Sequence, residues 1–510
     1  MERRAIVATT TAAYIMVRMR LLALALALLP AIALAGAPSA VPTFHSIGLY
    51  WSPEGGAESN AARVEFRKRG TSEWRRGLDL WFDSRNSEYR GSLVELDPGS
   101  PYEVKLTLSG GLTETMTVRT WDERFPVKRT VEIAPGTTLV IGAQDSGDEK
   151  GYVLFTARPG RNVIEGGGEE EACVLVKQGA HHVIIRGLVL RNCRRYGVLI
   201  ERQSERQSRP PLDAHTHDIV IEANEISGWG GFENLKPGSG DADSDGAIHC
   251  DYYHESDDAK RPDRIIVQGN RIRDPRHGAN AWHSATHGRR HPYGPLGVAF
   301  GRCGRNHVIR YNNITSQNGN HYKDGLGGGE NMSAAGFPWA DSDIYANRIS
   351  HVYDDAISAE GANRNVRIWA NYLERVFVPI ANAPTSIGPL YVWRNVSHRT
   401  KGMYDPGGER GRRGPFIKAG SRHAEYNGGR AYYFHNSALE DTRGIVDSGG
   451  RLYNYVSRNN VFDRKTLAGP AQRIANFNDR YPRPEAGAHQ SGEPPARYGV
   501  EAYRAALSAH

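Results

Sequence analysis

Apolar and polar positions along this chain follow two rhythms, one after the other. From about residue 42 to residue 122 apolar side chains recur at every second place, as in "IGLYW" (Ile47 to Trp51) and "RVEFRKRG" (Arg63 to Gly70). Period two is the mark of a half-buried strand, so this stretch predicts a small β-sandwich. From about residue 130 to residue 463 a different unit recurs: a hydrophobic residue, two residues, Asn, one residue, a hydrophobic residue. It reads "IEANEI" (Asn224), "VQGNRI" (Asn270), "IRYNNI" (Asn312), "IYANRI" (Asn347) and "IWANYL" (Asn371), then more loosely "VWRNVS" (Asn395), "YFHNSA" (Asn436) and "VSRNNV" (Asn459). The intervals Asn347–Asn371 and Asn371–Asn395 are both 24 residues, and longer intervals leave room for inserted loops. A unit of that length cannot bury its own inward side chains. Stacked units can, which predicts the coils of a parallel β-helix with the asparagines stacked at a bend.

A second strand follows each Asn bend. Aligned on Ile248, Val298, Gly327, Ile357, Ile380, Ile417 and Val446, residues an odd number of places from the centre face outward. Three places before the centre stand Asp245, Asp324 and Asp354; three places after stand Asp251, Glu330 and Glu360. His249 and Lys418 share the column one place after it, and Asp355 takes the inward register at a strand edge. With coils about 4.8 Å apart, Asp324 is expected beside Asp354, and Glu330 beside Glu360. Carboxylates that close repel, so at least one pKa rises, the condition for a general acid beside a base or nucleophile. The expected catalytic set is therefore Asp324, Asp354, Asp355, Glu330 and Glu360. His249, Asp251, Trp282 and Lys418 are expected to bind substrate. Trp282 comes from the insertion "RHGANAWHSATHGRRHPYGP" (Arg276 to Pro295), which is placed to overhang the trough. "DADSDG" has the oxygen-ligand spacing of a calcium loop at Asp241, Asp243 and Asp245, but Tyr252 stands where the closing bidentate Glu belongs.

Composition narrows the setting. Glycine is abundant at 57 residues, which favours turn-rich β structure over helix. The net charge of +7 is spread along the chain without a dense basic block, so nucleic acid is not expected as a partner. Residues 1–35 read as a secretory signal: Arg18 and Arg20 precede the apolar run Leu21 to Leu34, and Ala33-Leu34-Ala35 is a small-x-small cleavage site. The expected product is a secreted or periplasmic monomer with no membrane span after cleavage. Cys173, Cys193, Cys250 and Cys303 have no zinc-knuckle spacing; buried thiols and a single disulfide are both open. Residues 464–510 are expected to form a C-terminal cap or tail.

Three resemblances add to this reading. "LDPGSPYEVKLTL" (Leu96 to Leu108) resembles the tyrosine corner of fibronectin type III domains, which implies such a fold for 42–122 and a spacer or docking role. The repeats of 130–463 resemble the right-handed β-helix superfamily that holds pectate lyases, polygalacturonases and alginate epimerases. The fold class expected is thus all-β, a right-handed parallel β-helix preceded by a small fibronectin type III-like sandwich. "YDDAIS" with "KDGLG" resembles the aspartate segments of polygalacturonase-type glycoside hydrolases, which implies catalytic roles for Asp324, Asp354 and Asp355. That family's Gly-His-Gly and Arg-Ile-Lys motifs are missing, as are the pectate-lyase arginine motif and the Asp-Pro-His-Asp of alginate epimerases.

The function expected is degradation of a polysaccharide, acidic glycans included, by a glycoside hydrolase that needs no cofactor. The first alternative is a polysaccharide lyase in which the aspartates bind calcium and Lys418, His249 or an Arg removes the proton. The second is a glycan-binding adhesin without turnover.

Overall fold

The computed structural model describes residues 36–136, 138–166, 171–201, 215–231, 245–252, 258–283, 291–404, 410–448, 454–464, 488–489 and 496–508. The expected leader, and most of the expected tail, lie outside them. Among the described residues no helix is long and apolar enough to cross a membrane.

Residues 39–119 form two four-stranded antiparallel sheets packed face to face. One holds Ser39–Pro42, Ile47–Trp51, Glu88–Leu93 and Trp81–Asp83; the other holds Arg75–Arg76, Ala62–Lys68, Pro101–Leu108 and Thr113–Arg119. Ala62–Lys68 and Pro101–Leu108 alternate in burial as their period requires. The Tyr102 hydroxyl accepts the Asp97 amide at 2.8 Å, so the Leu96–Leu108 stretch does make a tyrosine-anchored corner. Ile47–Trp51 departs from expectation because it is buried throughout. Its second face docks on the following domain: Tyr50 Oη donates to Asp341 Oδ1 at 2.6 Å, and Leu49 O accepts Asn365 Nδ2. A Cβ at Gly48 would stand 2.5 Å from Asp341 Oδ1, so this close approach requires glycine. The seam is held by a buried ion pair, Arg367 with Asp343 at 2.5 Å, whose second oxygen accepts Thr43 Oγ1.

From residue 127 to residue 464 the strands pair in parallel with their counterparts one coil away, apart from the antiparallel pair Gly402–Tyr404 and Arg410–Arg413. Three ladders run along the stack and make a right-handed parallel β-helix. An eleven-stranded sheet, Val127–Glu132 to Tyr455–Arg458, carries the sandwich; the other two ladders share the long strands Arg348–Ser358 and Tyr372–Asn382. Valine, isoleucine and leucine fill the interior in rows, such as Ile221, Val267, Ile309, Ile344 and Ile368. Cys173–Cys193 and Cys250–Cys303 are both disulfides within this core, so neither buried thiols nor a single bridge describes the chain.

The asparagines form one continuous ladder. Each accepts the backbone N–H and side-chain Nδ2 of the ladder Asn one coil before it, from Asn224 through Asn270, Asn312, Asn347, Asn371, Asn395 and Asn436 to Asn460. The residue before each one is left-handed: Ala223, Gly269, Tyr311, Ala346, Ala370, Arg394, His435 and Asn459, all with φ between 50° and 65°. The last coil thus uses Asn460 and not Asn459. Ser457 stands in the row of Tyr433, where the repeat normally has a hydrophobic residue, and this shifts the apparent pattern by one. In the Asn371→Ala variant the buried Asn347 amide loses its acceptor and Asn395 loses a donor. Unfolding free energy should fall by about 3–5 kcal/mol, read as a lower urea midpoint; a loss under about 1 kcal/mol would mean that the ladder does not brace the bend.

Candidate active site

The ladder that carries the acids pairs Ile248, Val298, Leu326, Ile357, Ile380, Ile417 and Ile445. The centres expected at Gly327 and Val446 are therefore each one residue late. In "DGLGGGEN" the glycines carry no side chain to mark the inward face, and Leu326 alone joins the core. The correction moves Asp324 opposite Asp355 and Lys323 opposite Asp354. Gly325 N donates to Asp355 O, and Asp354 N donates to Lys323 O.

A bulge then re-aims the aspartates. Val352 pairs with Val376 and Asp355 with Val378, so three steps on one strand match two on the next. Val352, Ala356 and Ile357 point into the core, whereas Val378 belongs to an outer cluster with Phe377, Ala381, Trp282 and Met403. Asp355 follows Val378 outward. It does not take the inward register that strict alternation assigns to it.

The result is a compact polar site. Carboxylate oxygens of Asp324, Asp354 and Asp355 lie within 4.8 Å of one another, with all three residues at 6% exposure or less. Lys418, with 24% of its side chain exposed, comes from the coil after next and places Nζ 2.8 Å from Asp355 Oδ2 and 3.2 Å from Glu360 Oε1. Glu360 Oε1 also accepts the Ala383 amide, and Oε2 accepts Asn331 Nδ2. Lys323 Nζ stands 3.6 Å from Asp324. The insertion closes one side: Trp282 Nε1 donates to Asp354 Oδ1 at 3.1 Å, and His291 Nε2 lies 3.3 Å from Asp354 Oδ2. Asp355 Oδ1 is buried without a hydrogen-bond partner.

Burial and mutual repulsion decide the protonation states. Burial lifts Asp354 to about 7; Asp324 and Glu360 add to this and Lys418 opposes it. Burial, then the neighbouring Asp354 charge, raise Asp355 well above the carboxylate range. Burial likewise lifts Glu360 to about 7, against Lys418. Burial pulls the Lys418 ammonium down, but Asp355, Glu360 and Asp354 outweigh it and hold the proton on. Lys323 is raised in the same way, chiefly by Asp324, and burial lowers His291.

Several expected residues lie elsewhere or are occupied. Glu330 is drawn off by the Arg302 guanidinium and is outside the three-aspartate group. Asp245 is buried and already satisfied by Arg195 at 2.8 Å and by the Gly231 amide, so a guanidinium holds the place expected for calcium. Asp241 and Asp243 lie outside the described residues, as does the Asp251 side chain. His249 packs against Tyr196 at 4.5 Å, coils away from the aspartates. Trp282 and Lys418 do reach the acids. Lys323, His291 and Asn331 were not singled out as site residues; Lys323 adjoins Asp324, and that adjacency was the available signal.

No protein-family model matches the chain, and no curated protein matches it. Among solved structures it is similar to pectate lyase Pel3 from Pectobacterium carotovorum, with 8% identity and a TM-score of 0.21 over 76% of this chain and 92% of that one. It is also similar to pectate lyase PelI from Erwinia chrysanthemi, with 8% identity and a TM-score of 0.17 over 76% and 99%. PelI in complex with tetragalacturonic acid gives 9% identity and 0.18 over the same shares. The fold assignment rests on the ladders described above.

Proposed function

We propose that this protein is an exported polysaccharide lyase that cleaves a uronate-containing glycan with the help of calcium. One observation carries the reading: three aspartates from adjacent coils converge around a buried, unpartnered Asp355 oxygen, with the Lys418 amine beside it. Four carboxyls (Asp324, Asp354, Asp355 and Glu360) face two ammonium groups (Lys323 and Lys418), so a hard divalent cation suits both the charge and the oxygen donors. Asp324, Asp354 and Asp355 would hold it. Bound there, calcium would neutralise the uronate carboxylate and so acidify the proton on C5. Lys418 takes that proton; the electron pair forms the C4–C5 double bond as the C4–O bond breaks, and the leaving oxygen is protonated from water. Drawing Asp355 and Asp354 toward a cation weakens two of the three attractions that hold the Lys418 proton and leaves Glu360 alone against burial, which favours the free amine. Lys323 faces the substrate carboxylate, and Trp282 walls the trough with an aromatic face. The two disulfides support an oxidising compartment.

A hydrolase is the second reading, favoured by Asp354 and Glu360, which keep protons to about 7. Oxygens of Asp324, Asp354 and Asp355 within 4.8 Å are closer than the roughly 6.5–9.5 Å between carboxyls that inversion needs, so a hydrolase that used two of these aspartates would be retaining. Digestion of a panel of uronate glycans separates the readings. A lyase gives ultraviolet-absorbing fragments lighter by one water than hydrolysis products, and chelator stops it. Reducing ends without that absorbance, unaffected by chelator, would sink the lyase in favour of the hydrolase. Binding without any product would sink both and leave a glycan-binding protein.

A further inference from the structure

On the eleven-stranded sheet, away from the aspartates, three successive coils begin their strands in the same unusual way. His181, His217 and Asp263 pair across the ladder, and the next residue in each coil, His182, Asp218 and Arg264, is left-handed with φ of 51°, 53° and 52°. An extended strand sends neighbouring side chains to opposite faces. A left-handed residue breaks that alternation and brings both to one side. The outcome is an array of side chains two across and three deep, with imidazoles at its first three places.

The imidazoles are close enough to share one ion. Ring nitrogens of His181, His182 and His217 lie within 4.8 Å of one another, and the Nδ1 atoms of His181 and His182 are 3.2 Å apart. Nitrogens on one tetrahedral zinc stand about 3.4 Å apart, given zinc–nitrogen bonds of about 2.0–2.1 Å. The His217 ring is already oriented. Its Nδ1 bonds Asp218 Oδ2 at 2.6 Å, which leaves Nε2 as the free ligand atom. Asp218 is itself fixed by the Arg264 guanidinium and by Tyr152 Oη at 3.3 Å. A carboxylate behind a histidine, itself pinned by further groups, is the arrangement that sets the tautomer of a metal ligand. The side chains of His182 and His217 keep 12% and 23% exposure, so an ion can reach them.

We propose that His181, His182 and His217 form a zinc site, with Asp218 as the positioning residue and the fourth place left to water. Three nitrogens select zinc over calcium. The site joins two consecutive coils, so its effect is to clamp the N-terminal end of the stack. It is independent of the aspartate cluster and of the lyase reading.

The test uses the untagged chain, stripped of metal and titrated with zinc by calorimetry and with cobalt by visible absorbance. We expect one zinc per chain, a tetrahedral cobalt spectrum and a higher melting temperature on zinc addition. The His181→Gln/His217→Gln double variant should lose at least about a hundredfold in zinc affinity, and Asp218→Asn about 10–100-fold. Asp354→Asn, in the other cluster, should bind zinc like the parent. His182→Gln serves as a milder variant, with its metal-free circular dichroism and melting temperature compared with the parent's to establish folding. No zinc binding by the parent chain, affinity unchanged in the folded His182→Gln protein, or loss of the zinc only in Asp354→Asn would each overturn the proposal.

Discussion

In the Lys418→Arg variant, glycan cleavage falls by about 10²–10⁴-fold while the melting temperature stays within about 3 °C of the parent's. Lys418 has two separable duties. Its charge compensates Asp355 and Glu360, both buried, and that pairing braces the coil. A guanidinium can keep this duty, since it bonds carboxylates well. The second duty is to accept a proton from carbon, and a guanidinium cannot do that because its pKa lies above about 12. Arginine therefore separates bracing from chemistry. In the hydrolase reading the lysine only tunes the acids, so Lys418→Arg would keep most of the activity and Asp354→Asn would lose it. Lys418→Met extends the comparison. It leaves Asp355 and Glu360 without their cation, so both should stay protonated to higher pH and stability should drop more at alkaline than at acid pH. If Lys418→Arg turns over glycan at a quarter of the parent rate or better, the lysine is not the base.

The parts of this site that the sequence made legible are the local ones. Val and Ile at coil period, with the repeated Asn, were enough for the β-helix, because inward stacking is a property of one residue and its equivalent in the next coil. Asp354 and Glu360, each three places from Ile357, fall on the outer face for the same reason, whereas Asp324 is two places from its true centre Leu326 and is placed outside only through the slipped centre. What escaped were choices made between distant segments. Arg302 takes Glu330 and Arg195 takes Asp245, and neither pairing leaves a mark in the local pattern. The bulge that turns Asp355 outward is equally hidden, since "DDAIS" reads as plain alternation unless the register against Val376 and Val378 is known. Where glycines follow Leu326 and leave neither face marked by a side chain, the register slipped by one. The surface histidines of the proposed zinc site share a side only because His182 is left-handed, a conformation that a His–His pair does not announce.

Between about pH 6.5 and pH 9 the metal-free chain should lose stability steadily, and calcium should restore it most at the alkaline end. Asp354 and Glu360 are lifted from 3.8 and 4.5 to about 7, and Asp355 is raised well above its ordinary value. Above about pH 6 the unfolded chain has released these protons while the folded chain still holds them. The folded state then binds more protons, so stability falls as pH rises from the unfolded values to the folded ones: Asp354 and Glu360 complete their share by about pH 7, and Asp355, raised well above the carboxylate range, carries the decline on above that at about 1.4 kcal/mol per pH unit. Below about pH 6.5 the trend flattens, because His307 and His321, both lowered to about 4, resist protonation in the folded state and favour unfolding as the solution becomes more acid. Glu123 and Asp218, held below the carboxylate range by His45 with Arg310 and by His217 with Arg264 respectively, act only at still lower pH. A cation at Asp324, Asp354 and Asp355 needs them ionised, so it competes with these protons. Calcium should therefore raise the melting temperature more at about pH 8 than at about pH 6, and Asp354→Asn should flatten both the pH profile and the calcium response. The decline with pH tests the buried carboxyls; the calcium response tests the lyase. A chain that loses stability toward pH 9 yet gains nothing from calcium would keep the crowded acids as described and remove the metal from the mechanism, leaving the hydrolase reading with the same residues.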